Sequence, residues 1–72
     1  MTKLFIDIVG QKQRHIDITG TLFRCPEAAG EAAELISLDL AVSENSPWLG
    51  AEVQVKNEAG QCLFAYPIAP LQ

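Results

Sequence analysis

Two stretches of alternating apolar and polar side chains near the start of the chain constrain the fold most. Residues 3–9 and 14–23 alternate in this way over their centres and are rich in Ile, Val, Thr and Phe. This period of two with β-branched residues is typical of strands that bury one face. The segment GQKQ between them, residues 10–13, is short and polar. The sequence therefore predicts an antiparallel hairpin.

The isoleucines limit the register of this hairpin, because side chains directly opposite each other share one face of the sheet. Two registers keep the isoleucines together: one sets Ile6 opposite Ile18, and the other sets Ile8 opposite Ile18. The first also brings Asp7 opposite Asp17, at a cost of a few tenths to about 1 kcal/mol, whereas the second separates them. In either register we expect both aspartates on a solvated face of the sheet.

A second hairpin is predicted towards the end of the chain, from the sequence AEVQVKNEAGQCLFAYPI. Asn57 can begin a type I turn, and Gly60 can adopt the left-handed conformation of the bulge that follows. Continued regularly from this turn, the ladder pairs Val55 with Leu63. It then leaves Phe64 and Tyr66 on the face opposite the valines.

The middle of the chain has two interpretations. Pro26 suits the first turn of a helix, and the Ala and Glu residues after it predict a short helix near residues 26–34. Residues 36–42 alternate like a strand. On a helix, Leu35, Leu38 and Val42 gather on one side, but Asp39 then interrupts the apolar face, so a middle strand is favoured. The alternative is a single helix over residues 26–43, which gives an α+β fold of order ββαββ.

Together these elements predict a mainly β fold for a single small domain, residues 1–72. About five strands, two hairpins plus the middle strand, form an antiparallel sheet or a small barrel. Residues 67–72 are predicted to form an extended C-terminal tail, because Pro67 and Pro70 lack the N–H that a ladder needs.

Apolar side chains are predicted on both faces of this sheet. Beside the aliphatic core, the opposite face would carry aromatic and aliphatic groups: Phe5, Val9, Phe23, Phe64 and Tyr66. One short helix cannot cover this second face. The sheet must therefore curl into a barrel, or a second molecule must cover it.

Charge and motifs argue against several classes of function. Nine acidic and five scattered basic residues give a net charge of −4, and no positive stripe exists for a nucleic-acid backbone. The sequence lacks a P-loop, a GxGxxG motif and a G-x-S-x-G motif. We therefore expect neither an enzyme nor a cofactor, and we expect no binding to nucleic acid.

Asp7, Asp17 and His15 are the one group that resembles a chemical site. General acid–base chemistry needs carboxyl groups in a shared cleft, with pKa values moved apart by their surroundings. A flat strand face offers neither a cleft nor exclusion of water. We expect no catalytic and no metal site here, and the alternative function is a small-ligand or metal-binding protein that uses the Asp7/His15/Asp17 face.

The sequence also bears on location and on the thiols. Asp7 interrupts the apolar run that a secretory signal needs, and no run approaches the roughly 18 residues of a membrane span. We expect a cytoplasmic protein without membrane contact. Cys25 and Cys62 match neither a redox pair nor a zinc set, so free thiols are expected.

The favoured function is a small acidic protein-interaction or regulatory module that works by surface complementarity, either with a partner protein or as a homodimer. Trp48, in a Pro-containing loop, and the aromatic residues Phe64 and Tyr66 are the predicted partner-binding residues, since aromatic side chains are enriched at binding hot spots. The residues show no resemblance to a known family.

Overall fold

The computed structural model describes residues 1–42 and 46–69. These residues form five strands and one helix: β1 (Thr2–Val9), β2 (Arg14–His15), β3 (Thr21–Phe23), α1 (Pro26–Val42), β4 (Glu52–Lys56) and β5 (Cys62–Pro67). The strands make one antiparallel sheet, and α1 packs on one of its faces. The mainly β fold with a five-stranded antiparallel sheet and a helix is thus confirmed, whereas the sheet does not close into a barrel.

The order of the strands explains how the helix crosses the sheet. Strand β1 pairs with β4 on one side and with β2 and β3 on the other, and β5 pairs with β4 at the far edge. Strands β3 and β4 both run antiparallel to β1, so they are parallel to each other. Helix α1 connects these two strands, which lie on either side of β1. The short strands β2 and β3 are two halves of one interrupted strand, so the element order is the ββαββ alternative.

Residues 36–42 belong to the last turns of α1, so the predicted middle strand is wrong and the helix does not end near residue 34. The fully covered part of the side that faces the sheet is a stripe of small residues one turn apart, Ala29, Ala33 and Ser37, and Ile36 and Leu40 pack half-buried beside it. Side chains four positions apart lie above one another on a helix, and small ones let its backbone approach the sheet closely. A pattern of large aliphatic residues does not reveal this stripe, because its members are small.

The turn of the second hairpin is confirmed. Gly60 adopts the left-handed conformation, with φ of 86°, and its N–H donates to the carbonyl oxygen of Asn57 at 3.0 Å. In return, the N–H of Asn57 donates to the carbonyl oxygen of Gln61, also at 3.0 Å. A local sequence signal was sufficient here, because the turn closes on itself within five residues.

The register beyond that turn differs from the prediction by one residue. Lys56 still pairs with Cys62, but Val55 pairs with Phe64, so Leu63 is an extra residue in β5. Such a β-bulge reverses the face on which all following side chains lie. Phe64 and Tyr66 therefore lie on the same face as the valines of β4, beneath the helix, and their predicted position on the opposite face is wrong.

In the first hairpin the four-residue turn 10–13 is confirmed, but neither predicted register is right. Ile8 pairs with His15, whereas further along β1 Leu4 pairs with Thr21. The two sets of pairs are offset by two residues. The chain between β2 and β3 thus leaves the ladder, and it takes Ile16 and Ile18 to exposed positions, with Ile18 87% exposed.

The buried core lies between α1 and the sheet, and its fully buried or nearly buried apolar residues are Leu4, Ala29, Ala33, Ala51, Val53, Val55 and Ile68. The predicted tail differs from the structure at its start. Pro67 is the last residue of β5. Two backbone hydrogen bonds hold Ile68: its N–H donates to the carbonyl oxygen of Ala51 at 2.8 Å, and its carbonyl oxygen accepts from the N–H of Gly50 at 2.9 Å. Residues 70–72 of the predicted tail lie outside the described residues.

Candidate functional site

Asp7 and Asp17, each of which stands between two isoleucines, are linked beside β1. The N–H of Asp17 donates to Oδ1 of Asp7 at 3.0 Å. The carboxylate of Asp17 accepts from Ile6 N–H at 3.2 Å through Oδ2 and from Gly20 N–H at 2.9 Å through Oδ1. The side chain of Asp17 thus supplies the hydrogen-bond acceptor that the N–H of Ile6 would otherwise find in the backbone of a neighbouring strand.

Asp7 is only 4% exposed, so the prediction that it stands on a solvated face is wrong. Residues 16–20 pass beside it because they have left the ladder, and they remove it from water. Its Oδ2 lies 3.3 Å from Nζ of Lys56, on the neighbouring strand β4. A buried carboxylate needs both a counter-charge and hydrogen-bond donors, and Lys56 and the Asp17 N–H provide them.

These contacts leave little for chemistry. Each carboxylate oxygen of Asp7 and Asp17 already has a partner. His15 is exposed on β2, opposite Ile8. Across residues 1–42 and 46–69, no three His, Cys, Asp or Glu side chains come close enough together to hold a metal ion. Asp7 and Asp17 thus bind the backbone and Lys56, with an exposed histidine beside them, and a ligand or metal site on the Asp7/His15/Asp17 face stays a hypothesis.

The predicted partner-binding aromatic residues turn towards the core. Trp48, Phe64 and Tyr66 are partly buried and pack against it, and the Phe64 and Tyr66 rings stack with centroids 6.5 Å apart. A Cβ added to Gly30 of α1 would lie 3.1 Å from the hydroxyl oxygen of Tyr66. The helix thus covers these rings, and their role in partner binding stays a prediction with less surface available than the sequence suggested.

The described part of the chain also has a cleft, between the turn of the first hairpin and the loop after the helix. It has a volume of about 270 Å³ and is lined by residues 10–13, Pro47 and residues 49–51. Lys12 is the single ionisable side chain in this lining. A ligand site normally combines an apolar wall with a few convergent polar groups, and here the amide of Gln13 already donates to the carbonyl oxygen of Pro47 at 3.3 Å. The free thiols predicted for Cys25 and Cys62 agree with the structure, in which Cys62 is exposed.

The most distinctive surface lies on the side of α1 that points away from the sheet. Leu35, Leu38 and Val42 are 67%, 50% and 60% exposed. Their spacing of three and then four residues places them within an arc of about 60° on one side of the helix. We call these three residues the outer ridge. The sequence places these three residues on one side of a helix, and Asp39 beside them makes that side unsuitable for the core; in the structure this side faces away from the sheet.

Acidic side chains surround the outer ridge. Glu34 and Asp39 lie on its two flanks, and Glu27 and Glu31 continue it towards the start of the helix, as the helical spacing requires. All four are exposed. The helix holds four of the chain's nine acidic residues and none of its five basic residues. The rest of the chain has five acidic and five basic residues, so the net charge of −4 equals the charge of the helix.

α1, the helix of the described residues, is not long and apolar enough to cross a membrane. No family model, no curated protein and no solved structure matches the chain.

Proposed function

We propose that this chain is a protein-interaction module that binds a partner protein through the outer ridge of α1 by surface complementarity, without catalysis. The observation that carries the proposal is the exposure of three large aliphatic side chains at a regular helical spacing. Single exposed apolar residues are ordinary on protein surfaces. A row of them on one rigid element, rimmed by charge, is typical of a binding surface.

The inner side of the helix strengthens this argument. Ala29, Ala33 and Ser37 face the sheet, and Ile36 and Leu40 pack against the core beside them, so the contacts that hold α1 in the fold do not involve the outer ridge. Large aliphatic residues at exposed positions therefore contribute little to the stability of this chain. Burying one leucine side chain contributes about 1.5–3 kcal/mol, and a partner that covers Leu35 and Leu38 would gain from that burial.

The homodimer is the less favoured form of the proposal. Pairing two outer ridges would bring two sets of four carboxylates together, and like charges close to each other oppose association. The original reason for a second copy was an uncovered aromatic face, and α1 covers Phe64 and Tyr66. A partner of different charge suits the outer ridge better than a second copy of the chain.

Site-specific photo-crosslinking in the source cells tests the proposal. A benzophenone side chain replaces Leu38, and a matched control places it at Ala59 in the exposed turn of the second hairpin. We expect a discrete crosslinked protein from position 38 that is missing from position 59 and is lost when Leu35→Gln is added. No crosslinked band, or equal bands from the two positions, would contradict the proposal. A band containing two copies of this chain would support the homodimer form.

A further inference from the structure

We infer that the partner segment that binds the outer ridge is a basic amphipathic helix, with aliphatic residues spaced like those of the ridge and Lys or Arg on their flanks. This inference rests on the proposed function and specifies its partner.

A helix is the favoured shape of partner because of the geometry of the ridge. Leu35, Leu38 and Val42 have the spacing of successive a, d and a positions of a heptad repeat. Side-chain ridges of this kind pack into the grooves of a second helix. Glu31 occupies the next position towards the start of the helix, so the apolar part ends there. The contact therefore covers about two turns of each helix, which corresponds to a small and weak interface.

The charge of the partner follows from the residues beside the ridge. A helix packed on Leu35 and Leu38 has its flanking positions next to Glu34 and Asp39, in the way that the e and g positions face each other in a coiled coil. Lysine or arginine beside Glu34 would complement its charge, whereas acidic residues at the flanking positions would be repelled. A membrane surface with anionic lipids fits poorly for the same reason, because surface helices that bind such membranes carry Lys and Arg on their polar face.

Three labelled synthetic peptides test the inference by fluorescence anisotropy with the full chain. They share length and a leucine pattern of i, i+3 and i+7 on an alanine background, and their flanking positions carry only Lys, only Gln or only Glu. We expect the Lys peptide to bind at least about tenfold more tightly than the Glu peptide at low salt, with the Gln peptide between them. At about 0.5 M salt the ratio should fall towards one, because surface charges are screened.

Variants of the chain connect the binding to the named residues. Leu38→Gln should weaken the binding of the Lys and Gln peptides about tenfold, since a buried leucine contact is lost. The pair Glu31→Gln and Glu34→Gln should weaken only the binding of the Lys peptide. Glu58→Gln, in the exposed turn of the second hairpin, removes one carboxylate at a distance from the ridge in sequence and should change none of them; Glu34→Gln alone is its matched counterpart on the ridge. Circular dichroism confirms that each variant is folded.

The outcomes separate this inference from the proposed function. Equal binding of the three peptides, if it still depends on Leu38, overturns the basic partner and leaves the ridge as a protein-binding surface. Binding of the Lys peptide that ignores Leu38→Gln overturns the inference, because it shows charge attraction alone. No binding of any peptide at millimolar concentration, or Leu38-dependent binding to phosphatidylcholine or phosphatidylserine vesicles, also overturns it. The crosslinking result at position 38 is independent of all these outcomes.

Discussion

The two sides of α1 are used differently. On the inner side, Ala29, Gly30, Ala33 and Ser37 are buried, and Ile36 and Leu40 pack half-buried against the core beside them. On the outer side, the large aliphatic residues of the outer ridge are exposed. Phe64 and Tyr66 of β5 already fill the space beneath Gly30, so the available volume limits this part of the inner side to small residues.

The largest effect is expected from enlarging the inner side. Ala33 is fully buried, and Ala33→Leu should lower the free energy of unfolding by about 1–3 kcal/mol, because the added atoms must displace the helix or the sheet. Denaturant unfolding measures the loss. The matched control is Glu34→Leu, which introduces the same side chain one position further along at an exposed site. Equal losses in the two variants would show that the sides of the helix do not differ as described.

A smaller effect is expected at Gly30, where two terms oppose each other. Gly30→Ala gains up to about 1 kcal/mol of helix propensity, but the new Cβ would lie 3.1 Å from Oη of Tyr66. In a Tyr66→Phe background that oxygen is missing. Gly30→Ala should therefore be more favourable to folding there than in the original chain, by on the order of 0.5 kcal/mol or more. Thermal unfolding of the four proteins in this cycle checks it, and an identical change in both backgrounds contradicts the close contact.

On the outer side the effect on stability should nearly vanish. Leu38→Gln and Leu35→Gln are expected to change the free energy of unfolding by less than about 0.5 kcal/mol, because exposed positions away from the core tolerate substitution. Chemical denaturation provides the measurement. A loss above about 1 kcal/mol would mean that these leucines pack within the fold, and they would then be less available to a partner.

The chain is expected not to self-associate at low salt. Sedimentation equilibrium at low and high protein concentration should give a monomer, because carboxylates rim the outer ridge of every copy. About 0.5 M salt screens this repulsion, so the same sedimentation measurement at that salt concentration is the control for the effect of charge. A dimer that forms at low salt and is lost in Leu38→Gln would favour the homodimer over a basic partner.

Sequence reasoning succeeded where the determining contacts are local. The turn that begins at Asn57 closes within a few residues, and the turn at residues 10–13 likewise joins strands that are adjacent in sequence. Pro26 does begin the helix. The strands of the two hairpins followed from alternation, which depends on neighbouring positions alone, whereas alternation over residues 36–42 predicted a strand where α1 continues.

Sequence reasoning failed where one residue or one side chain changes how two strands pair. The Leu63 bulge and the carboxylate of Asp17 both shift a ladder, and neither has a distinct signature in a single sequence. Asp17 resembled half of a chemical pair because aspartate is the residue type used for both tasks. The outer ridge was visible as a helical pattern, but deciding which side of the helix it occupied required knowing what lies beneath the helix.

The bulge at Leu63 also determines how this chain would tolerate changes in length. Deleting Leu63 leaves Lys56 opposite Cys62 and Val55 opposite the phenylalanine, so the shortened β5 would form a regular ladder with both rings still beneath the helix. Deleting Ala65 would instead turn Tyr66 away from the helix. Two single-codon deletions only two positions apart would therefore have opposite consequences, and the viable length variants of β5 should be those that add or remove residues at the bulge.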